Sequence, residues 1–387
     1  MPGTDLISAV YAHRLFDGEN WLYDHALILE GEQVSAVLPA ADVPADIQST
    51  ELGPLTLAPG LIDIQVNGGA GVMFNSDPSA AGIASIVSAH RRYGTTGILP
   101  TIISDTPDVQ QAAAAAVATA RAQGEAGVLG LHLEGPHFEP ARRGTHKASL
   151  IRPPTAADIS WLSSLQDYPT IVTLAPEYAA PGTVRELSEA GLLVCAGHTD
   201  ASYEQITAAS AEGLRGFTHL FNAMSPLQSR SPGTVGAALD SPDTWAGIIA
   251  DGHHVHPASI RLAHRAKGPG KLMLISDAMS TVGGPTSCEI YGERIEVEDG
   301  RLVNAEGNLA GSAIALIDAV RIAHQGAGLE LAECLRMASR YPAEFLGLDA
   351  RLGRLAAGYR ADLFAFDANF QVSHTWVAGD HQLHGSP

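Results

Sequence analysis

Four apolar stretches of strand character each end in a residue that can bind a metal or move a proton. This recurrence limits the possible folds more than any other feature of the chain. Residues 127–131 (GVLGL) lead into His132-Leu133-Glu134-Gly135-Pro136-His137, so a carboxylate stands where the apolar run stops. Gly135-Pro136 then ends the strand, because proline has no N–H to give to a ladder. Residues 192–198 (LLVCAGH) and 216–219 (GFTH) repeat the pattern and supply His198 and His219. Residues 272–277 (LMLISD) end in Asp277. Glu, His, His and Asp at the ends of four separate strands form the layout of a metal-hydrolase site on a β/α barrel.

The rest of the chain fits that architecture. Stretches 61–66, 97–101, 127–133, 170–174, 192–196, 216–219, 245–250 and 272–276 read as strands, the eight that a closed barrel needs. Helical segments lie between them, clearest in the alanine-rich run 108–121 and at 183–190 and 203–212. Residues 281–306 are glycine-rich and carry alternating Ile295, Val297 and Leu302, so an extended excursion is expected before helices at 312–326 and 330–346. Short strands at 7–12, 26–29 and 34–38 are separated by turn signals such as Asp17-Gly18 and Glu30-Gly31, and 361–366 and 375–378 echo them. The expected fold is α/β: a TIM-type (β/α)8 barrel over residues 58–354, with a small β-sandwich built from both chain ends, 1–57 and 355–387. The 387 residues are enough for a barrel of about 250 residues plus that second unit.

Composition narrows the function. The formal net charge is −19, which argues against nucleic acid or an anionic membrane as a partner. An anionic substrate then needs a local cluster to hold it. The three cysteines are widely spaced, with no CxxC, as expected of a reducing compartment. The start, MPGTDLISAV, has neither a basic region nor a long apolar run, and no apolar stretch reaches the roughly 18 residues of a span. The expectation is a soluble cytoplasmic protein.

Catalytic zinc and similar ions take three protein ligands and leave one position open. Glu134, His198 and His219 supply such a set. Singly, each is an ordinary hydrogen-bonded residue at a strand end; together they argue for a metal. Asp277 reads either as the acid–base partner of a bound water or as a cap or ion-pair residue. In the first barrel strand, residues 63, 65 and 67 share a face. A second metal would want histidines at 65 and 67. Gln65 and Asn67 stand there, and amides are weak ligands, so one tight ion is expected. Most of the 16 histidines are not ligands. Within ADGHHVH, His254 is the choice for substrate contact, and His253 and His256 read as exposed loop. Arg230, in SRSPG, is either solvated or an anion fork.

These motifs together resemble the N-acetylglucosamine-6-phosphate deacetylases of the amidohydrolase superfamily. The resemblance runs from PGLIDIQVNGGAG through HLEGPH, GTH, AGHTDA, FTHLFNAM, ADGHHV and LISDAM to LAGSA and GRLAAGYRADLFAF. It implies hydrolysis of an N-acetyl amino-sugar phosphate to acetate and the free amine. Metal ligands Glu134, His198 and His219 and catalytic Asp277 follow from it by motif position. So do substrate contacts from Thr145, His146, Asn222, Ala223, Arg230, His254 and a Leu309-Ala310-Gly311 turn. Gln65 and Asn67 match members with a single metal, zinc first, with iron, manganese or cobalt as alternatives. Members are usually homodimers in which the counterpart of Arg230 reaches a neighbour's site. His137 replaces a residue that is often apolar or aromatic, so an added ligand or substrate contact is expected there. Two rivals stand beside this reading. Other amidohydrolases commonly carry a histidine pair at 65 and 67 and a bridging lysine. A sugar-phosphate sensor on a dead barrel would have lost the ligands or the base.

Overall fold

The computed structural model describes residues 7–385; residues 1–6, where the stretch read for a leader begins, lie outside it, as do 386 and 387. Eight parallel strands form the central sheet: Leu61–Val66, Thr95–Ile103, Leu131–Glu134, Thr170–Leu174, Leu193–Ala196, Gly216–Phe217, Trp245–Ile249 and Leu272–Ile275. Each pairs with its neighbours in chain order. The first and last meet where Val66 bridges Ala278 in parallel, and Asp277 N donates to Gln65 O at 3.0 Å. Almost every strand residue is buried, as expected of parallel strands covered on both faces. Outside lie helices such as Pro107–Ala122, which starts on a Thr106 cap with proline in its first turn.

Two strands are shorter than their apolar runs. The third begins at Leu131 rather than 127, since its ladder to the fourth starts at the Leu131–Thr170 pair. The sixth stops at Phe217, and the chain then turns through a positive φ at His219.

The chain ends build two further sheets. One orders Gln33–Pro39, His25–Glu30, Ile7–Tyr11 and Gln48–Glu51. The other orders Asp380–Leu383, Val372–Val377, Leu363–Phe366, Thr56–Pro59, Arg14–Phe16 and Trp21–Tyr23. Val10, Leu27, Leu57, Leu363 and Trp376 share one core.

The glycine-rich excursion is a four-stranded antiparallel arm of Ser287–Ile290, Glu293–Glu298, Arg301–Val303 and Leu309–Ser312. Residues 309–311 are therefore strand, not the turn expected from the motif. This strand returns to the barrel: Ser312 N donates to Asp277 O and Met279 N to Ser312 O, at 2.9 and 3.0 Å. Ile295, Leu302, Ala310 and Met279 form its core.

Candidate active site

The site residues stand where parallel strands release the chain. His198, His219 and Asp277 each follow a strand in a left-handed conformation, with φ of 50°, 35° and 53°. Non-glycine residues seldom adopt it, and it carries a strain cost that the surroundings must offset. Gly197 lets the chain pack closely against the neighbouring strand just before His198, since a Cβ there would lie 2.6 Å from Thr173 Cγ2.

Glu134, His198 and His219 converge, all buried. Glu134 Oε1 lies 2.9 Å from His219 Nε2 and 3.3 Å from His198 Nε2, and the two ring nitrogens are 3.0 Å apart. Ligands around a tetrahedral ion with bonds of roughly 2.0–2.1 Å sit about 3.3 Å from one another. His198 Nδ1 lies 2.9 Å from the Arg142 carbonyl, which only accepts, so the proton is on Nδ1 and the Nε2 lone pair faces the cluster. Phe138 stacks on the same ring, 4.2 Å between centroids. The set fits one divalent ion. Burial alone would raise the Glu134 carboxyl, but the His198 and His219 hydrogen bonds outweigh it and hold the group well below the usual range.

Asp277 behaves oppositely. Burial first, then the negative Glu134, push it up to about 6. Its Oδ1 accepts from Asn67 Nδ2 at 2.7 Å and Gln65 Nε2 at 3.1 Å; Gln65 Nε2 also reaches Glu134 Oε2 at 3.1 Å. The amides at 65 and 67 are thus donors that clamp two carboxylates. Among the described residues, Asp277 Oδ2 has no protein hydrogen bond and faces a cavity that Asp277 lines.

That cavity, of about 490 Å³, is lined by Asn67, Glu134, Thr145, His146, His198, His219, Asn222, Ala223, His254, Asp277, Leu309 and Gly311 among others. His146 Nδ1 accepts from the Ser104 N–H at 3.2 Å and lies 2.8 Å from Ser104 Oγ. Its proton is therefore on Nε2, and burial, then His198, hold the ring well below its usual pKa, so it is a neutral donor. His254 Nδ1 is 2.6 Å from Asp251 Oδ2, and Asp251 Oδ1 takes the N–H groups of His253 and His254, each at 2.8 Å.

Three expected contacts fall elsewhere. Arg230 is exposed and does not line the cavity of its own chain. Ala310 is fully buried in the arm's core, because alternation along a strand sends it away from its neighbours Leu309 and Gly311. His137 is buried, with Nδ1 3.1 Å from Arg152 O, and does not line the cavity. Residues not singled out from sequence include Asp251, although it too ends an apolar strand. Arg142 and Arg143 also line the cavity, beside the Thr145-His146 pair that the resemblance implies. Asn308 lines it just ahead of Leu309.

Comparison with known proteins agrees with the geometry. The pattern described as "Amidohydrolase family" matches residues 56–381, and that described as "NagA composite domain" matches 9–54. The chain is 40% identical to an N-acetylgalactosamine-6-phosphate deacetylase of Shewanella sp. (strain ANA-3), over 98% of this chain and 97% of that one. The crystal structure of N-acetylglucosamine-6-phosphate deacetylase from Pasteurella multocida superposes with a TM-score of 0.95 at 36% identity, covering 98% and 100% of the two chains. A mutant of the Mycobacterium smegmatis N-acetyl-D-glucosamine-6-phosphate deacetylase, solved in complex with N-acetyl-D-glucosamine-6-phosphate, gives 0.89 at 31% identity and 98% and 99% coverage. The chain belongs to the amidohydrolase family, in the branch that contains the N-acetylglucosamine- and N-acetylgalactosamine-6-phosphate deacetylases.

Proposed function

We propose that this chain hydrolyses the acetamide of N-acetylglucosamine 6-phosphate, giving acetate and glucosamine 6-phosphate. The observation that carries the reading is the convergence of Glu134, His198, His219 and Asp277 at the strand ends, in one cavity with His146 and His254. Relatives named for this activity at 35% identity over 92% of the chain support it.

Glu134, His198 and His219 would hold the divalent ion, zinc first, with iron, manganese or cobalt as alternatives. When bound, such an ion lowers the pKa of a water toward ~7 and polarises a carbonyl. The residues of the chain do the rest. Asp277, fixed through Oδ1 by Asn67 and Gln65, takes the proton of the attacking water on Oδ2. His146 offers its Nε2–H to the acetamide oxygen as negative charge grows there. Asp277 then returns the proton to the nitrogen as the C–N bond breaks, so acetic acid and the neutral amine form, and the acid's proton passes to the amine to leave acetate and the ammonium. At the other end of the cavity, Asn222, Ala223 and His254 receive the phosphate, with Thr145, Leu309 and Gly311 along the sugar. This gathers hydrogen-bond donors locally in a chain of net charge −19.

Arg230, exposed in its own chain, is proposed to complete the phosphate site of a neighbouring copy in a homodimer. No helix among the described residues is long and apolar enough to cross a membrane, and a cytoplasmic location remains part of the proposal. Residues 58–354 are proposed as the catalytic unit. The relative at 40% identity is named for the galacto epimer, so that epimer is the second substrate to test. Acetate release should be measured with the gluco and galacto 6-phosphates and with their unphosphorylated forms. Turnover of a 6-phosphate, with the plain sugars near baseline, is expected; no acetate from any of the four would refute the reading.

A further inference from the structure

Two segments that line the cavity, loop 140–147 and the arm's turn at 304–308, are tied together by an ion pair. Arg143 sits in loop 140–147, which carries Thr145 and His146. Glu306 sits in the turn between Arg301–Val303 and Leu309–Ser312 of the arm. Arg143 Nη2 lies 2.9 and 2.7 Å from the two Glu306 carboxylate oxygens, and its Nη1 donates back to His146 O at 2.9 Å and Gly144 O at 3.3 Å. The same guanidinium thus holds the backbone of His146 and the tip of the arm. A second tie runs alongside, from Asn304 Nδ2 to Thr145 Oγ1 at 3.2 Å. The anchor is itself rigid, because Asn304 Oδ1 accepts the N–H groups of Glu306 and Asn308 at 3.1 and 2.9 Å.

Loop 140–147 matters for more than one group. Its Arg142 carbonyl orients His198, and its His146 is the donor aimed at the acetamide oxygen. We infer that Arg143 and Glu306 act as a pair of positioning residues, a latch that makes catalysis depend on the antiparallel arm. The inference rests on the proposed deacetylase reading for its kinetic consequence, but not for the latch itself. The guanidinium's free energy goes into geometry: a displacement of about 1 Å at a reacting group can cost on the order of 100-fold in rate. Exposed ion pairs of this kind add little to global stability, so an effect on kcat without one on unfolding is the signature of positioning.

The test is a double-variant cycle of Arg143→Ala, Glu306→Ala and the pair, in the zinc-loaded enzyme, with amide hydrogen exchange of residues 143–147 followed beside kcat. The latch predicts that Glu306→Ala, whose side chain need not touch substrate, lowers kcat about 10-fold and speeds exchange in 143–147 several-fold. It also predicts that the double variant loses no more than Arg143→Ala alone. Wild-type kcat and wild-type exchange in Glu306→Ala would overturn it, and so would losses that simply multiply. If the unmodified enzyme releases no acetate from any N-acetylhexosamine 6-phosphate, the deacetylase reading fails, and the exchange measurement alone decides the latch.

Discussion

Asn67 Nδ2 lies 2.7 Å from Asp277 Oδ1, joining the first barrel strand's exit to the last across 210 positions of sequence. Gln65 reaches the same oxygen at 3.1 Å. A carboxylate held on one oxygen by two amides keeps its other oxygen for the cavity. That arrangement also uses both positions where a second metal would need ligands.

Metal stoichiometry follows from this. Elemental analysis of dialysed protein should give one divalent ion per chain, and His219→Ala should lose both the ion and nearly all activity. Two equivalents surviving dialysis would show that the amides at 65 and 67 do not prevent a second site.

Asp251 orients the His254 imidazole, proposed above to receive the phosphate, through a 2.6 Å contact at Nδ1. Burial opposes ionisation of Asp251, but the His254 hydrogen bond outweighs it and keeps the carboxyl below its usual range. Asp251→Asn should raise KM for the 6-phosphate by about 10-fold, the scale of one charge-assisted hydrogen bond, with kcat less affected. Steady-state kinetics on the phosphorylated sugar decides it; a loss confined to kcat would place His254 at the chemistry instead.

Stability should respond to acid through Asp158. Its hydrogen bonds from Arg152, at 2.5 and 2.7 Å, hold the carboxyl well below the ordinary range against the opposing effect of burial. A carboxyl lowered on folding contributes fully above its unfolded pKa, about 3.9, and the contribution is lost as pH falls from there toward the folded value. Asp158→Asn should cost about 1 kcal/mol at pH 7. In urea titrations the gap to wild type should shrink below about pH 4; a gap that stays constant with pH would mean the pair contributes through shape rather than charge.

Much of this was readable in the chain because strand periodicity and strand ends are local signals. Glu134, His198, His219 and Asp277 each announced themselves by ending an apolar run, and the sandwich by short strands at both ends. Contacts between distant segments were not readable in the same way. Nothing near Arg143 points to Glu306, 163 positions on. The positive φ at His198, His219 and Asp277 carries no residue signal, since none of the three is glycine. The turn that the motif implies at 309–311 is a strand, in which Gly311 serves close approach: a Cβ there would lie 2.5 Å from Met279 Sδ. Arg230 chemistry suits an anion, but only the fold reveals that it is exposed and does not line its own cavity.

The account turns on Asp277 moving the proton while Glu134, His198 and His219 hold the ion. The direct measurement is kcat of Asp277→Asn on the 6-phosphate, with metal content determined on the same sample. Asparagine keeps the shape and the hold on one oxygen but cannot accept and return a proton. The account predicts a fall in kcat of about 10²- to 10⁴-fold, with one ion retained and KM little changed. Near-full turnover, or loss of the ion, would contradict it.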